Sequence, residues 1–198
     1  REDSRRPEPR GMILITFIAG MISVVPTYFI QQFIGKAVQF EYALLILWPF
    51  AEELAKYLAA HLSALRSKEF DEPIDAIIYL MTSALGFAAA ENFFFLMRPE
   101  FSILSLLTAN MRFVGATLLH LIASGIVGVF IGFSFYKSQI MKKINLILGL
   151  FTATILHSLF NLFIIKGQGS NILSVFGVLW LLAVLFILIF EKIKKINR

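Results

Sequence analysis

The amino-acid sequence predicts an all-α fold, a polytopic transmembrane helix bundle of about six spans with both termini in the cytoplasm. Three observations predict it: an apolar composition, apolar runs of spanning length, and an uneven distribution of basic residues. Of the 198 residues, 58% are hydrophobic and 16% are charged, and the mean hydropathy is +0.79. Soluble domains carry about 45–50% apolar and about 25% charged residues. This composition, without any cysteine, excludes a disordered chain, an ordinary cytosolic globule and a secreted disulfide scaffold.

The apolar runs predict the spans. A helix needs roughly 20 mostly apolar residues to cross the bilayer core, and six runs of that length occupy residues 12–33, 42–65, 74–97, 112–136, 144–165 and 172–190. Short polar connections join them, so we predict one integral membrane domain over residues 1–198, with a polar tail at residues 1–10. The first run has about 22 residues, more than the roughly 7–15 of a signal-peptide core, and is expected to remain as an anchor. A shorter apolar stretch, 102–111, is expected to lie at the membrane interface.

The distribution of Lys and Arg predicts the orientation. With six spans, both termini lie on one side, together with the loops after spans two and four. That side carries 13 of the 18 Lys and Arg residues and the opposite side carries four, while Lys56 lies inside a span. The positive-inside rule therefore predicts cytoplasmic termini for a multi-pass protein of the cell membrane. The net charge of +5 does not indicate nucleic acid as a partner, because the basic residues only flank apolar runs.

Ionisable side chains inside the spans indicate a functional site. Six of them lie well inside apolar runs: Glu52, Glu53, Lys56, Glu91, His120 and His157. A charged group at mid-bilayer costs about 2.5–3.5 kcal/mol on insertion scales, so such groups are expected to face one another. At about 1.5 Å per helical residue, the acids and imidazoles of four different spans lie roughly 9–15 Å below the outer surface. We therefore expect them to meet in the outer half of the bilayer.

Local spacing suggests separate roles for the two adjacent carboxylates. Glu52 and Glu53 diverge by about 100° on a helix, so one can face a cavity while the other pairs with Lys56. Pro49 lacks an N–H and is expected to kink or restart the helix, which would admit water near the carboxylates. Small-residue faces at residues 84–90 and 124–132 are expected to be helix-packing surfaces.

For each of these ionisable side chains considered alone, a purely structural explanation stays open. A buried ion-pair network, an interhelical clamp or a hydrogen-bonded core histidine would account for individual members, but none predicts a common depth. His61 and the charged residues of 66–72 are expected to form a solvated cytoplasmic rim. Asp75 and Tyr79, four residues apart, are expected to make a structural hydrogen bond.

Five motifs in order resemble those of the PrsW family of intramembrane proteases. They are PFAEELAK at 49–56, FDEPIDAIIY at 70–79, GFAAAEN at 86–92, HLIASG at 120–125 and HSLFN at 157–161. The resemblance covers spans two to five. This family is related to the CAAX prenyl endopeptidases and, more distantly, to the non-catalytic scaffold subunit of gamma-secretase. The resemblance implies a peptidase that cuts a membrane-anchored protein or peptide, and family members include one that makes the first, extracytoplasmic cut in an anti-sigma factor.

Peptide hydrolysis requires an activated water, a polarised carbonyl and a proton donor for the leaving amine. Cysteine is absent and no serine has a convincing base and orienting partner, so a carboxylate base is favoured. In one assignment Glu52 is the general base and holds the water together with His120. Glu53, paired with a lysine, supports it. His157 and Asn161, which share a helix face, stabilise the oxyanion.

A second assignment is a zinc site. Glu91, His120 and His157 would be the ligands with an open position for water, leaving Glu52 or Glu53 as the base. The common depth of the three ligand-type residues favours this version, although the chain has no HExxH helix. The sequence leaves the choice between a zinc enzyme and a glutamate protease open.

Two other function classes compete with a protease. A proton or metal transporter would string polar residues across the whole membrane, but the inner halves of spans four and five carry no ionisable group. A non-catalytic membrane scaffold would tolerate replacement of Glu52 by Gln without losing any enzymatic activity. The protease interpretation is the one that predicts an acid and imidazole cluster at a single depth.

Overall fold

The computed structural model describes residues 7–97, 106–167, 172–194 and 196 of the chain. Those residues form six α-helices: α1 (Arg10–Ala37), α2 (Glu41–Ala60), α3 (Asp75–Leu96), α4 (Leu106–Phe133), α5 (Gln139–Gly167) and α6 (Ile172–Ile193). A five-residue π-helical segment, His61–Leu65, continues α2. No strand occurs in the described ranges, so the predicted all-α fold is confirmed.

The helices have the length and composition of a polytopic membrane protein. Five of them, α1 and α3 to α6, are long and apolar enough to cross a membrane. The remaining helix, α2, has 20 residues, which is enough for a span, but Glu52, Glu53 and Lys56 interrupt its apolar sequence. Large apolar side chains such as Phe33 and Phe151 are exposed on the outside of the bundle, as expected for a surface in contact with lipid. The predicted helix bundle is confirmed, and the side on which the termini lie stays a prediction.

Helix α3 lies in the interior and packs against α1, α2 and α4. One apolar cluster joins four helices, with Ala60 from the end of α2, Leu80 from α3, Ala123 from α4 and Ala153 from α5, each fully buried. These four helices carry the ionisable residues that the sequence singled out. The apolar cluster therefore holds together the elements that supply the polar side chains.

Two glycines allow α1 and α3 to approach at backbone distance. A Cβ atom on Gly20 would lie well inside 3.0 Å of the Ser83 carbonyl, and one on Gly86 would lie equally close to the Phe17 carbonyl. The two contacts are reciprocal, since each glycine faces a residue three positions before the glycine of the other helix. Small residues are the usual means by which membrane helices pack closely, so the small-residue face predicted around Gly86 is confirmed as a packing surface.

The end of α3 that is predicted to face the cytoplasm is fixed by two polar side chains. Asp75 Oδ2 accepts hydrogen bonds from the backbone N–H groups of Asp71 (2.9 Å) and Glu72 (2.6 Å). The Tyr79 hydroxyl donates to the Glu8 carboxylate, which ties the segment before α1 to α3. Both side chains are structural, as expected, but these hydrogen bonds join each of them to a different segment.

The backbone departs from the sequence expectation in two places. Helix α2 runs through Pro49 without restarting, so the expected restart is wrong, while a kink at Pro49 stays a prediction. An irregular backbone segment lies further along, in the π-helical residues His61–Leu65. The apolar stretch 102–111 was expected to be a separate interfacial element. Its first four residues lie outside the described residues, and residues 106–111 form the beginning of α4.

The glycine contacts yield a stability prediction. Replacing Gly20 or Gly86 by Val should destabilise the protein by about 1–3 kcal/mol, because the added side chain must displace backbone atoms of the facing helix. The free energy of unfolding in detergent micelles, followed by tryptophan fluorescence, measures the loss.

Gly177→Ala is the matched control, because a Cβ at that position meets nothing within 4 Å. It should not reduce stability, since alanine is the better helix former. Equal stability of Gly86→Val and Gly177→Ala would contradict the close contact between α1 and α3.

Candidate functional site

Four helices bring six ionisable side chains into one hydrogen-bonded group, called here the polar cluster. Its members are Glu52, Glu53 and Lys56 from α2, Glu91 from α3, His120 from α4 and His157 from α5. All except Glu91 have side chains at most 11% exposed, whereas the Glu91 side chain is 42% exposed. The structure thus joins the residues whose depths agree in the sequence.

Glu53 is at the centre of the polar cluster. Its Oε1 accepts hydrogen bonds from Lys56 Nζ (2.5 Å) and His157 Nδ1 (2.9 Å), and its Oε2 accepts one from Ser124 Oγ (3.2 Å). The side chain is completely buried. A buried carboxylate is stable only when such donors surround it, so Glu53 has a supporting role and joins α2 to α4 and α5.

Lys56 links this carboxylate to the first histidine. Its ammonium group, fully buried, lies 2.9 Å from His120 Nδ1 and 5.4 Å from the centroid of the Phe87 ring. A protonated lysine can only donate, so Nδ1 of His120 is the acceptor and Nε2 carries the hydrogen. That Nε2 donates to Glu91 Oε2 at 2.9 Å. A continuous hydrogen-bonded chain therefore runs from Glu53 to the partly exposed Glu91.

Glu52 occupies a different environment from its neighbour. Its Oε1 accepts a hydrogen bond from Gln31 Nε2 of α1 at 2.8 Å. Its Oε2 is buried, has no hydrogen-bond partner among the described residues, and lies 3.6 Å from His157 Nε2. Because His157 Nδ1 donates to Glu53, a neutral His157 presents its Nε2 lone pair to the Glu52 oxygen. A shared proton, a water or a metal ion would satisfy both atoms.

One set of three side chains has the spacing of a metal site. Glu52, His120 and His157 each offer a ligand atom, and these atoms all lie within 4.8 Å of one another. The sequence expectation had Glu91 as the third ligand. In the structure Glu91 accepts the hydrogen bond from His120, and Glu52 completes the set.

A cavity of about 350 Å³ leads to Glu52 along the side of α2. Seven residues of α2 between Glu41 and Glu52 line it, together with Asn161 and Leu162 of α5. Asn161 was expected to act beside His157, and the structure places it one turn further along α5, in this cavity and partly buried. Glu52 is the member of the polar cluster that lines the cavity.

Sequence reasoning missed the contribution of α1. Gln31 bonds to Glu52, and the backbone carbonyl of Gln31 accepts a hydrogen bond from Trp48 Nε1 at 3.2 Å. The first span carries none of the five motifs, and an amide near its end gives no spacing signal. Only its place in the fold reveals that Gln31 orients a site carboxylate.

Comparison with known proteins agrees with the motifs. A family model described as "PrsW family intramembrane metalloprotease" matches residues 8–189. A protein named Protease PrsW from Oceanobacillus iheyensis is 31% identical over 198 residues, covering 96% of this chain and 86% of its own. Proteins of the same name from Shouchella clausii and Bacillus subtilis are 28% and 29% identical, over 94% and 70% of this chain and 84% and 61% of their own. No solved structure shows a significant match.

The burial of Lys56 predicts a large effect on stability. Lys56→Met should lower the free energy of unfolding by about 3–5 kcal/mol, because the Glu53 charge loses its cationic partner in the interior. Adding Glu53→Gln should recover a large part of this loss, since the uncompensated charge is then removed. Equilibrium unfolding in mixed micelles of the single and double variants measures both effects.

Lys194→Met provides the matched control. Lys194 pairs with Glu191 at the same i,i+3 spacing and at 3.0 Å, but at the surface, where such pairs contribute about 0–1 kcal/mol. Equal losses at positions 56 and 194 would show that the polar cluster does not hold the helices together.

Proposed function

The chain belongs to the PrsW family of intramembrane metalloproteases, and we propose that it hydrolyses a peptide bond of a membrane-anchored protein with a water activated at the polar cluster. One observation carries this proposal. Glu52, His120 and His157 come from three helices, place their ligand atoms within 4.8 Å of one another, and meet where a cavity reaches Glu52. A purely structural ion-pair network would not need such access.

The side chains fit a zinc ion. Two imidazoles and one carboxylate with a remaining position for water are the donor set of catalytic zinc sites. His157 donates from Nδ1 to the Glu53 carboxylate, which is the usual support of a metal-bound histidine. Glu52 Oε2, buried without a hydrogen-bond partner among the described residues, is a ready ligand atom. Both ring nitrogens of His120 are hydrogen-bonded, Nδ1 to Lys56 and Nε2 to Glu91, so ligation of a metal would displace one of these two partners. A bound zinc ion lowers the pKa of water to about 7 and polarises the substrate carbonyl.

The roles proposed for two carboxylates are the reverse of those expected from the sequence. Glu52 becomes the ligand and Glu91 the general base, because Glu91 is the partly exposed carboxylate beside His120. Glu91 would accept the proton of the attacking water and return it to the leaving amine. The Asn161 amide, in the cavity next to Glu52, would donate to the developing oxyanion.

The proposed site lies in the outer half of the membrane, with Glu52 at the inner limit of that half. Glu52 is 11 residues from the start of α2, about 16 Å at helical rise, and that start faces outward in the predicted orientation. Because the bilayer core is about 30 Å thick, a site at this depth would cut a substrate inside its own span, near the middle of the membrane.

The first test is cleavage of a single-span reporter by purified protein in proteoliposomes. Glu52→Gln, Glu91→Gln, His120→Ala and His157→Ala should each lower the cleavage rate at least 100-fold, the scale of acid–base and metal contributions. His61→Ala is the matched control, since this histidine lies in the π-helical segment outside the polar cluster, and it should cut at a rate near that of the wild type. Equal cleavage by all variants would contradict the proposal.

Metal content separates the roles of the two carboxylates. Elemental analysis should find one zinc per wild-type chain, and likewise in Glu91→Gln and His61→Ala. Glu52→Gln, His120→Ala and His157→Ala should lose most of it. Full activity in metal-free protein would reject the zinc version, and Glu52 would then be the base, as in the first assignment from the sequence.

A further inference from the structure

The cavity between α2 and α5 has the dimensions of a binding groove. On α2 its lining runs from Glu41 to Glu52, a length of about 16 Å at helical rise. Its volume is about 350 Å³. A helical segment has its backbone N–H and C=O groups paired within the helix, whereas an extended segment presents them to the walls of a groove. An extended segment of about five residues, at roughly 3.3 Å per residue, has the matching length.

The groove offers a backbone acceptor on its α2 wall. Pro49 has no N–H, so the carbonyl of Leu45, four residues earlier, lacks the donor that it would receive in a regular helix. Leu45 and Pro49 both line the cavity. The proline that does not break α2 thus leaves a carbonyl with unused acceptor capacity beside the route to Glu52.

The facing wall supplies a side-chain partner. Asn161 of α5 lines the same cavity, and its amide can donate two hydrogen bonds and accept others. An extended peptide in a water-poor groove needs partners for its N–H and C=O groups, because each unsatisfied group costs several kcal/mol in an apolar medium. Leu45 of α2 and Asn161 of α5 both line the cavity and provide such partners.

The charge of the groove limits what can occupy it. The described residues that line it include two carboxylates, Glu41 and Glu52, and no Lys, Arg or His. In the proposed function a zinc ion offsets the charge of Glu52, so Glu41, at the other end of the α2 lining, is the carboxylate that favours neutral or basic side chains in the occupant.

Resting on the proposed function, we propose that this groove holds an extended interior segment of the substrate, bound through its backbone by the Leu45 carbonyl and the Asn161 amide, and leads its scissile bond to Glu52. Leu45 and Asn161 are then substrate-binding residues.

Cross-linking tests the binding path without requiring activity. The chain has no cysteine, so Leu45→Cys or Leu162→Cys in a Glu52→Gln background introduces a single thiol. A single-span reporter with one cysteine in its outer juxtamembrane segment should form disulfides with these variants at least tenfold more than with Ile46→Cys or Phe163→Cys. The control positions are adjacent, exposed and outside the lining. Equal cross-linking at lining and control positions would overturn the proposal.

Obstruction of the groove gives a second measurement in the active protein. Leu45→Trp should reduce kcat/KM for the reporter at least tenfold through a higher KM, with zinc content unchanged, whereas Ile46→Trp should stay within twofold of wild type. Wild-type cleavage by Leu45→Trp would overturn the groove and leave the proposed function intact. Absence of cleavage by wild type itself would instead overturn the proposed function.

Discussion

The bundle depends on the buried carboxylate of Glu53. An ionised carboxylate costs several kcal/mol to bury even after relaxation, and hydrogen-bond donors must surround it to offset that cost. The donors here are Lys56 of the same helix, Ser124 of α4 and His157 of α5, all within 3.2 Å. Three helices are therefore fixed in rotation relative to one another by a single charged group. Apolar side chains in lipid give no comparable directional preference, because lipid tails are as apolar as the side chains themselves.

The hydrogen bonds that stabilise the bundle also orient side chains of the proposed site. Lys56 binds Glu53 on one side and His120 on the other, so the charge that stabilises the bundle also orients an imidazole. The alternatives that the sequence left open, a structural ion-pair network or a functional site, are thus compatible. The centre of the polar cluster is structural. Glu52 and Glu91, one lining the cavity and the other partly exposed, lie at its margins, which is where the proposed chemistry takes place.

The sequence predicts the helices and the meeting of the polar residues because helical rise is nearly constant, so depth follows from counting residues. The 100° separation of neighbouring residues likewise predicts that one of the two adjacent glutamates pairs with Lys56 while the other faces a cavity, and the structure assigns these places to Glu53 and Glu52. Counting residues along a helix does not predict how that helix is rotated about its own axis relative to its neighbours. Two features depend on that rotation. One is the contact between Gln31 and Glu52, and the other is that Glu52, rather than Glu91, completes the set of possible metal ligands with the two histidines. The helix does not restart at Pro49, because the flanking turns continue it despite one missing donor.

Helix α1, which carries none of the family motifs, holds the Glu52 carboxylate whose second oxygen is unpaired. Among the buried side-chain oxygens that lack a hydrogen-bond partner in the described residues, Glu52 Oε2 is the one whose residue lines the cavity. Such an atom is unfavourable alone, and its position must be imposed by other contacts. Gln31 of α1 holds the opposite oxygen of this carboxylate, and Gly20, 11 residues earlier on α1, sets the distance between α1 and α3. Gly20 and Gln31 lie about three turns apart on one helix, with Pro26 between them. A change in the approach of α1 to α3 at Gly20 would therefore also alter where α1 places Gln31, and with it the Glu52 carboxylate.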